Sequence, residues 1–162
     1  MKAALRWLLL LATACGGGDS PDVLGLYMTT THVGSFEACS GGGTPEYSHP
    51  YFRMEEYEGG VNLRPCPTTD PATCAGGRGV LDQETEVGYR TDVYTATGGG
   101  MECVLFYEWH DASLDGDQLT YRIAHHSEFG SIEPCTAEEA EARGGDMPCI
   151  AYETLIGVRL AE

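Results

Sequence analysis

Seven cysteines are spread along this chain, and their setting limits the fold more than any other feature. Six of them, Cys39, Cys66, Cys74, Cys103, Cys135 and Cys149, follow an N-terminal stretch with the make-up of a secretory leader. Lys2 and Arg6 supply its positive charge, Trp7-Leu8-Leu9-Leu10-Leu11-Ala12 its apolar run, and Ala12-Thr13-Ala14 its small residues before Cys15. That apolar run is far below the ~20 residues needed to span a bilayer, so it reads as an export signal. An even set of cysteines in an exported domain reads as disulfides. The expected body is therefore a cross-linked extracytoplasmic domain.

The junction Ala12-Thr13-Ala14-Cys15 resembles the lipobox of bacterial lipoproteins, with Ala12 where that family usually carries Leu. The resemblance implies cleavage before Cys15 and lipidation of its thiol, with Gly16-Gly17-Gly18-Asp19-Ser20-Pro21-Asp22 as a flexible tether. Cysteine parity agrees, since an ordinary secreted chain cut near Ala14 would keep Cys15 as an odd thiol. The organisation expected is a signal peptide over 1–14, lipidated Cys15 and tether over 15–22, and one β domain over 23–162. Gly16, in place of an Asp after the cysteine, favours the outer membrane over the inner. The membrane is thus an expected partner, reached through the lipid.

About 150 residues beyond the leader suffice for one domain with its own core. The formal charge is −16, and losing Lys2 and Arg6 makes the remainder more acidic by two. No lysine follows the leader. Such a surface repels phosphate backbones and anionic headgroups, which argues against nucleic-acid binding. Acidity also suits solubility or attraction of cations, but Asp115-Gly116-Asp117 lacks the spaced oxygens of a calcium loop. No cofactor motif is present.

Glycine clusters at 41–43, 76–77, 98–100 and 144–145 punctuate segments rich in aromatic and β-branched residues. This pattern predicts strands over 24–33, 50–57, 60–65, 78–82, 87–96, 101–112, 118–127 and 149–160. The fold class expected is mainly β, a small antiparallel barrel of about eight strands or a sandwich. One short surface helix near the C-terminus is signalled by the capping-box spacing of Thr136 and Glu139, and Gly144-Gly145 ends it. The last strand alternates Ile150, Tyr152, Thr154, Ile156, Val158 and Leu160.

The hairpin from Met101 to Ser127 can be given a register. A three-residue loop Leu114-Asp115-Gly116 pairs Trp109 with Tyr121, Tyr107 with Ile123 and Leu105 with His125. Glu108 then faces Arg122, and His110 faces Thr120, which separates an aromatic face from a polar one. Six cysteines allow fifteen pairings. Closeness along the chain favours Cys66–Cys74 around a Pro-rich loop and Cys135–Cys149 around the helix, leaving Cys39–Cys103. A metal site is not expected, because no Cys-x-x-Cys pair occurs and exported thiols oxidise.

No Gly-x-Ser-x-Gly elbow or His-Glu-x-x-His spacing appears among the residues, and no catalytic set is expected. Tyr107, Trp109, Tyr121 and Ile123 form the aromatic face, which either packs as core or lines a ligand cavity. Gly25-Leu26-Tyr27, with Tyr27 where the family has Trp, and the turn Asp115-Gly116-Asp117-Gln118-Leu119-Thr120-Tyr121 resemble lipocalin-like bacterial envelope proteins. The layout is also similar to cysteine-containing envelope lipoproteins. The lipocalin resemblance implies an eight-stranded up-and-down barrel with the helix packed outside. The function expected is non-catalytic binding of an apolar small molecule or an envelope protein near the membrane. The alternatives are an envelope hydrolase using His110 or His125 with a nearby acid, and a structural or assembly lipoprotein.

Overall fold

The computed structural model describes residues 22–36, 39, 43–46, 48–99 and 102–161. The expected leader, Cys15 and nearly all of the expected tether lie outside the described residues. Ten strands follow in chain order: β1 (Gly25–Ser35), β2 (Thr44–Pro45), β3 (Tyr51–Tyr57), β4 (Gly60–Cys66), β5 (Val80–Leu81), β6 (Gln83–Thr85), β7 (Gly88–Gly99), β8 (Glu102–Asp115), β9 (Gln118–Gly130) and β10 (Cys149–Arg159). One helix, α1 (Ala137–Arg143), precedes β10. No helix among the described residues is long and apolar enough to cross a membrane.

Nine strands form one antiparallel sheet in the order β5-β4-β3-β1-β10-β9-β8-β7-β6, with β2 paired to β1. The two ends of this order, β5 and β6, are separated in sequence by Asp82 alone. A sheet whose opposite edges are joined by one residue must curl on itself, so the architecture is a nearly closed barrel. Thr91 Oγ1 donates to Asp82 Oδ1 at 3.0 Å and ties β7 to this seam.

Tyr27, Phe52, Met54, Leu63, Leu81, Leu119 and Tyr121 are fully buried in the interior. Tyr27 and Phe52 stack with ring centroids 5.2 Å apart. Gly157 of β10 permits this packing, because a Cβ there would lie 2.4 Å from the Phe52 ring. The alternation in β10 therefore runs opposite to a simple hydrophobic reading. Leu155 and Gly157 face inward, while Ile150 is 44 % exposed.

A second core lies outside the barrel. Cys103, Leu105 and Tyr107 on the outer face of β8 pack against Ile132, Ala140 and Met147 from the segment carrying α1. The helix begins as its sequence indicates, with Thr136 Oγ1 accepting from the Glu139 amide at 3.3 Å. The Glu139 carboxylate does not return to Thr136; it accepts from Arg143 Nε at 2.8 Å.

The β8–β9 register departs from the expected one. Asp115 pairs with Gln118, so the loop is Gly116-Asp117, and Gly116 takes φ of 59° at its first central position, as a type II′ turn requires. Trp109 thus faces Ala124, Tyr107 faces His126 and His110 faces Ile123. Leu105 faces Glu128, Glu108 faces His125, and Arg122 faces Asp111. The cause is burial on both faces. Residues 103–107 bury their odd positions outside the barrel, whereas His110 and Ala112 bury even positions inside it.

Three disulfides join Cys66 to Cys74, Cys103 to Cys135 and Cys39 to Cys149. The first is the local closure expected from sequence. The pairings Cys135–Cys149 and Cys39–Cys103 are replaced, because α1 packs on the outer face of β8 and lays Cys135 over Cys103.

Candidate functional site

The four aromatic-face residues are divided between two environments. Tyr121 and Ile123 belong to the packed interior, and Tyr107 and Trp109 to the outer core. Tyr107 donates to Asp92 Oδ1 at 2.7 Å and accepts from Arg90 at 3.0 Å, while the Arg90 guanidinium lies 5.7 Å from the Trp109 ring. These four residues therefore do not line one cavity.

The chemistry gathers instead at the barrel end formed by the end of β1, the start of β10 and the middle of β8 and β9. Register explains why. Glu108 and His110 sit on the inward face of β8, across from His125 and Ile123 of β9, and Glu153 pairs with Ile123 on the other side. His32 and Gly34 of β1 face Leu155 and Glu153. Arg78 reaches in from the segment after β4.

Two hydrogen-bonded groups result. In the first, Tyr121 OH lies 2.7 Å from His110 Nδ1, His110 Nε2 lies 2.5 Å from Glu108 Oε1, and Glu108 Oε2 lies 2.5 Å from His125 Nδ1. An ionised carboxylate only accepts, so His110 Nε2 and His125 Nδ1 carry hydrogens. Neutral His110 then accepts the Tyr121 hydroxyl, and neutral His125 keeps a bare Nε2. The His110 hydrogen bond, with that from His125, holds the Glu108 carboxyl below its usual range despite partial burial. Burial pushes the Tyr121 hydroxyl up, so it remains a donor.

In the second group, His32 Nε2 lies 2.6 Å from Glu153 Oε1, which also accepts from Arg78. Burial alone would raise Glu153. The His32 hydrogen bond and the Arg78 charge together outweigh it and bring the carboxyl down to about 2. In the neutral ring that donates through Nε2, Nδ1 is an acceptor, and that atom is buried with no partner among the described residues. The His32 side chain is only 6 % exposed.

His32 and Arg78 line two adjoining cavities. One, of about 280 Å³, is completed by Ser35, Phe36, Glu46, His125, Tyr152 and Glu153. The other, of about 190 Å³, includes Thr29, His49, Tyr51 and Leu155. A larger space of about 620 Å³ lies at the opposite end around Arg53, Glu56 and Arg159. It contains none of these histidines, and Arg159 there is engaged with Asp22 and the Tyr27 hydroxyl. The smaller pair of cavities holds the better-organised chemistry.

Sequence spacing identified Glu108, His110 and His125 as polar groups of interest but missed His32, Arg78 and Glu153. His32 and Glu153 are 121 residues apart, so no local spacing could join them. Arg122 and Thr120, expected beside His110, lie elsewhere; Arg122 pairs with Asp111 at 3.0 Å. Cys39, His126 and Cys149 bring three potential metal-ligand atoms within 4.8 Å of one another, but the two sulfurs are bonded to each other and offer no thiolate.

No protein family, curated protein or solved structure matches this chain.

Proposed function

We propose that this protein is a lipid-anchored, non-catalytic binding protein of the bacterial envelope, most in keeping with the outer membrane, whose barrel end takes a small polar molecule rich in hydrogen-bond donors. The observation that carries this reading is the buried, unpartnered Nδ1 of His32 beside cavities of about 280 and 190 Å³. Leaving such an atom unpaired costs about 1–3 kcal/mol, which a donating ligand would recover. His125 Nε2, Glu46 and Glu153 add acceptors, Arg78 adds a donor, and Phe36 and Tyr152 add aromatic surface. Hydroxyl- or ammonium-bearing molecules suit that set. An apolar ligand has less support, because the apolar part of the interior is filled by Tyr27, Phe52, Leu119 and Tyr121.

The hydrolase alternative is weaker at His110, whose two ring nitrogens are both engaged. His125 retains one bare nitrogen backed by Glu108, so any turnover would centre there. The test is a thermal-shift and titration series on the processed protein with polyols, small amines and fatty acids. Saturable stabilisation by a polyol or amine, abolished by Arg78→Ala and His125→Ala, supports the reading. Saturable fatty-acid binding, or binding indifferent to both substitutions, overturns it; hydrolysis of an ester probe lost in His125→Ala would install the enzyme instead. Anchoring is tested separately by intact mass, with acylation expected in the native chain and absent in Cys15→Ser.

A further inference from the structure

We propose that the Cys39–Cys149 disulfide is a thiol-exchange site, opened by a small dithiol or a partner's cysteine pair, with His126 serving Cys39 as proton acceptor and donor. The two sulfurs lie on the outer face of the barrel, and Ala151, whose carbonyl meets both, also lines the cavity of about 280 Å³.

The backbone builds it. Cys149 pairs with His126 and Ala151 with His125, so Ile150 is an extra residue in the ladder. This bulge turns Cys149 to the outer face with His126, while Ala151 stays on the inner face with His125. The His126 Nδ1 lies 2.9 Å from the Met147 carbonyl oxygen. A carbonyl only accepts, so Nδ1 carries the hydrogen and the neutral ring presents a bare lone pair at Nε2. That nitrogen is 3.6 Å from Cys39 Sγ. The Ala151 carbonyl oxygen is 3.8 Å from Cys39 Sγ and 3.6 Å from Cys149 Sγ. Each sulfur would thus meet an acceptor as soon as it became a thiol.

The other two disulfides are placed differently. Cys66 and Cys103 are fully buried. Among the described residues their sulfurs meet backbone carbonyls, that of Arg64 for Cys66 and that of Thr97 for Cys135. Cys39 and Cys149 are both partly exposed, and theirs is the pair with a basic nitrogen against sulfur.

One thiolate of the incoming dithiol attacks Cys149 Sγ, and the electrons of the broken S–S bond leave on Cys39 Sγ. The proton lost by the attacking thiol is taken up at His126 Nε2, which then faces the Cys39 thiolate as an imidazolium and stabilises it as leaving group. The second thiol of the dithiol attacks its own sulfur in the mixed disulfide and releases Cys149, which takes that thiol's proton and donates to the Ala151 carbonyl. Two electrons and two protons pass to the protein, and the dithiol becomes a disulfide. The reverse sequence oxidises a partner's dithiol or is driven by a disulfide oxidant.

The test treats the processed, oxidised protein with graded dithiothreitol, quenches by alkylation and maps the modified cysteines by mass spectrometry. Cys39 and Cys149 should be alkylated first, with a rate at least about tenfold above either other pair, a modest share of what a positioned acid or base supplies. His126→Asn keeps a donor for the Met147 carbonyl but removes the basic nitrogen; it should slow this opening about tenfold and leave the other two rates unchanged. Opening of Cys66–Cys74 or Cys103–Cys135 first, or of all three together, overturns the proposal. So does an unchanged rate in a folded His126→Asn protein. If that variant does not fold, the order of opening in the native protein decides alone.

Discussion

The two cores of this protein sit on opposite faces of the same strands and are held by different means. The inner one is surrounded by sheet, and its large side chains touch neighbours on every side. The outer one has sheet on one side only, and its lid is a helix of seven residues with a single buried position, Ala140. A helix that short has little stability of its own. Two of the three disulfides lie on this outer face, Cys103–Cys135 beneath α1 and Cys39–Cys149 beside His126. The contrast teaches that cross-links here fasten what packing covers on one side, while the enclosed core is left to packing.

Phe52→Ala should have the largest effect. It empties a site against Tyr27 and Gly157 and should cost roughly 3 to 5 kcal/mol, read as a lower urea midpoint for the whole molecule. Opening the outer core by replacing Cys103 and Cys135 with Ser should cost about 3 kcal/mol. Hydrogen exchange should then speed over 131–148 while β3 and β4 stay protected; equal loss in both regions would show the cores to be one cooperative unit.

A smaller effect comes from Glu153. Its folded carboxyl lies at about 2 against an ordinary 4.5, so its stabilisation is present above the unfolded value and fades as pH falls from about 4.5 towards 2. Allowing for partial exposure, about 2 kcal/mol should vanish in that window, and Glu153→Gln should flatten this part of the acid profile. Thr136→Ala should be mildest, costing about 1 kcal/mol through the lost cap and loosening only the outer lid.

Much of this was legible in the chain. Glycine clusters marked several strand limits, the gap between the strands expected over 50–57 and 60–65 fell at the β3–β4 turn, and the spacing of Thr136 and Glu139 placed the helix. The hairpin register was not legible, for a physical reason. Alternation locates a face only when one face is buried along the whole strand, and β8 switches its buried face between Tyr107 and His110. The disulfide partners Cys103 and Cys135 depended on which side of the sheet the helix covers. His32, Arg78 and Glu153 come from three remote segments, and each reads locally as an ordinary strand or loop residue.

The seam at Asp82 has a consequence for how copies of this protein coexist. An open sheet offers unpaired amides and carbonyls along its outer strands, and a second molecule can add to them. Here the two outermost strands are only two and three residues long, and the chain crosses between them through Asp82. Glu84 adds a negative charge beside the gap. Copies at high concentration would meet one another often. Among the described residues, strand-to-strand joining is left chiefly the stretch of β7 beyond Arg90, which pairs with β8 on one side only.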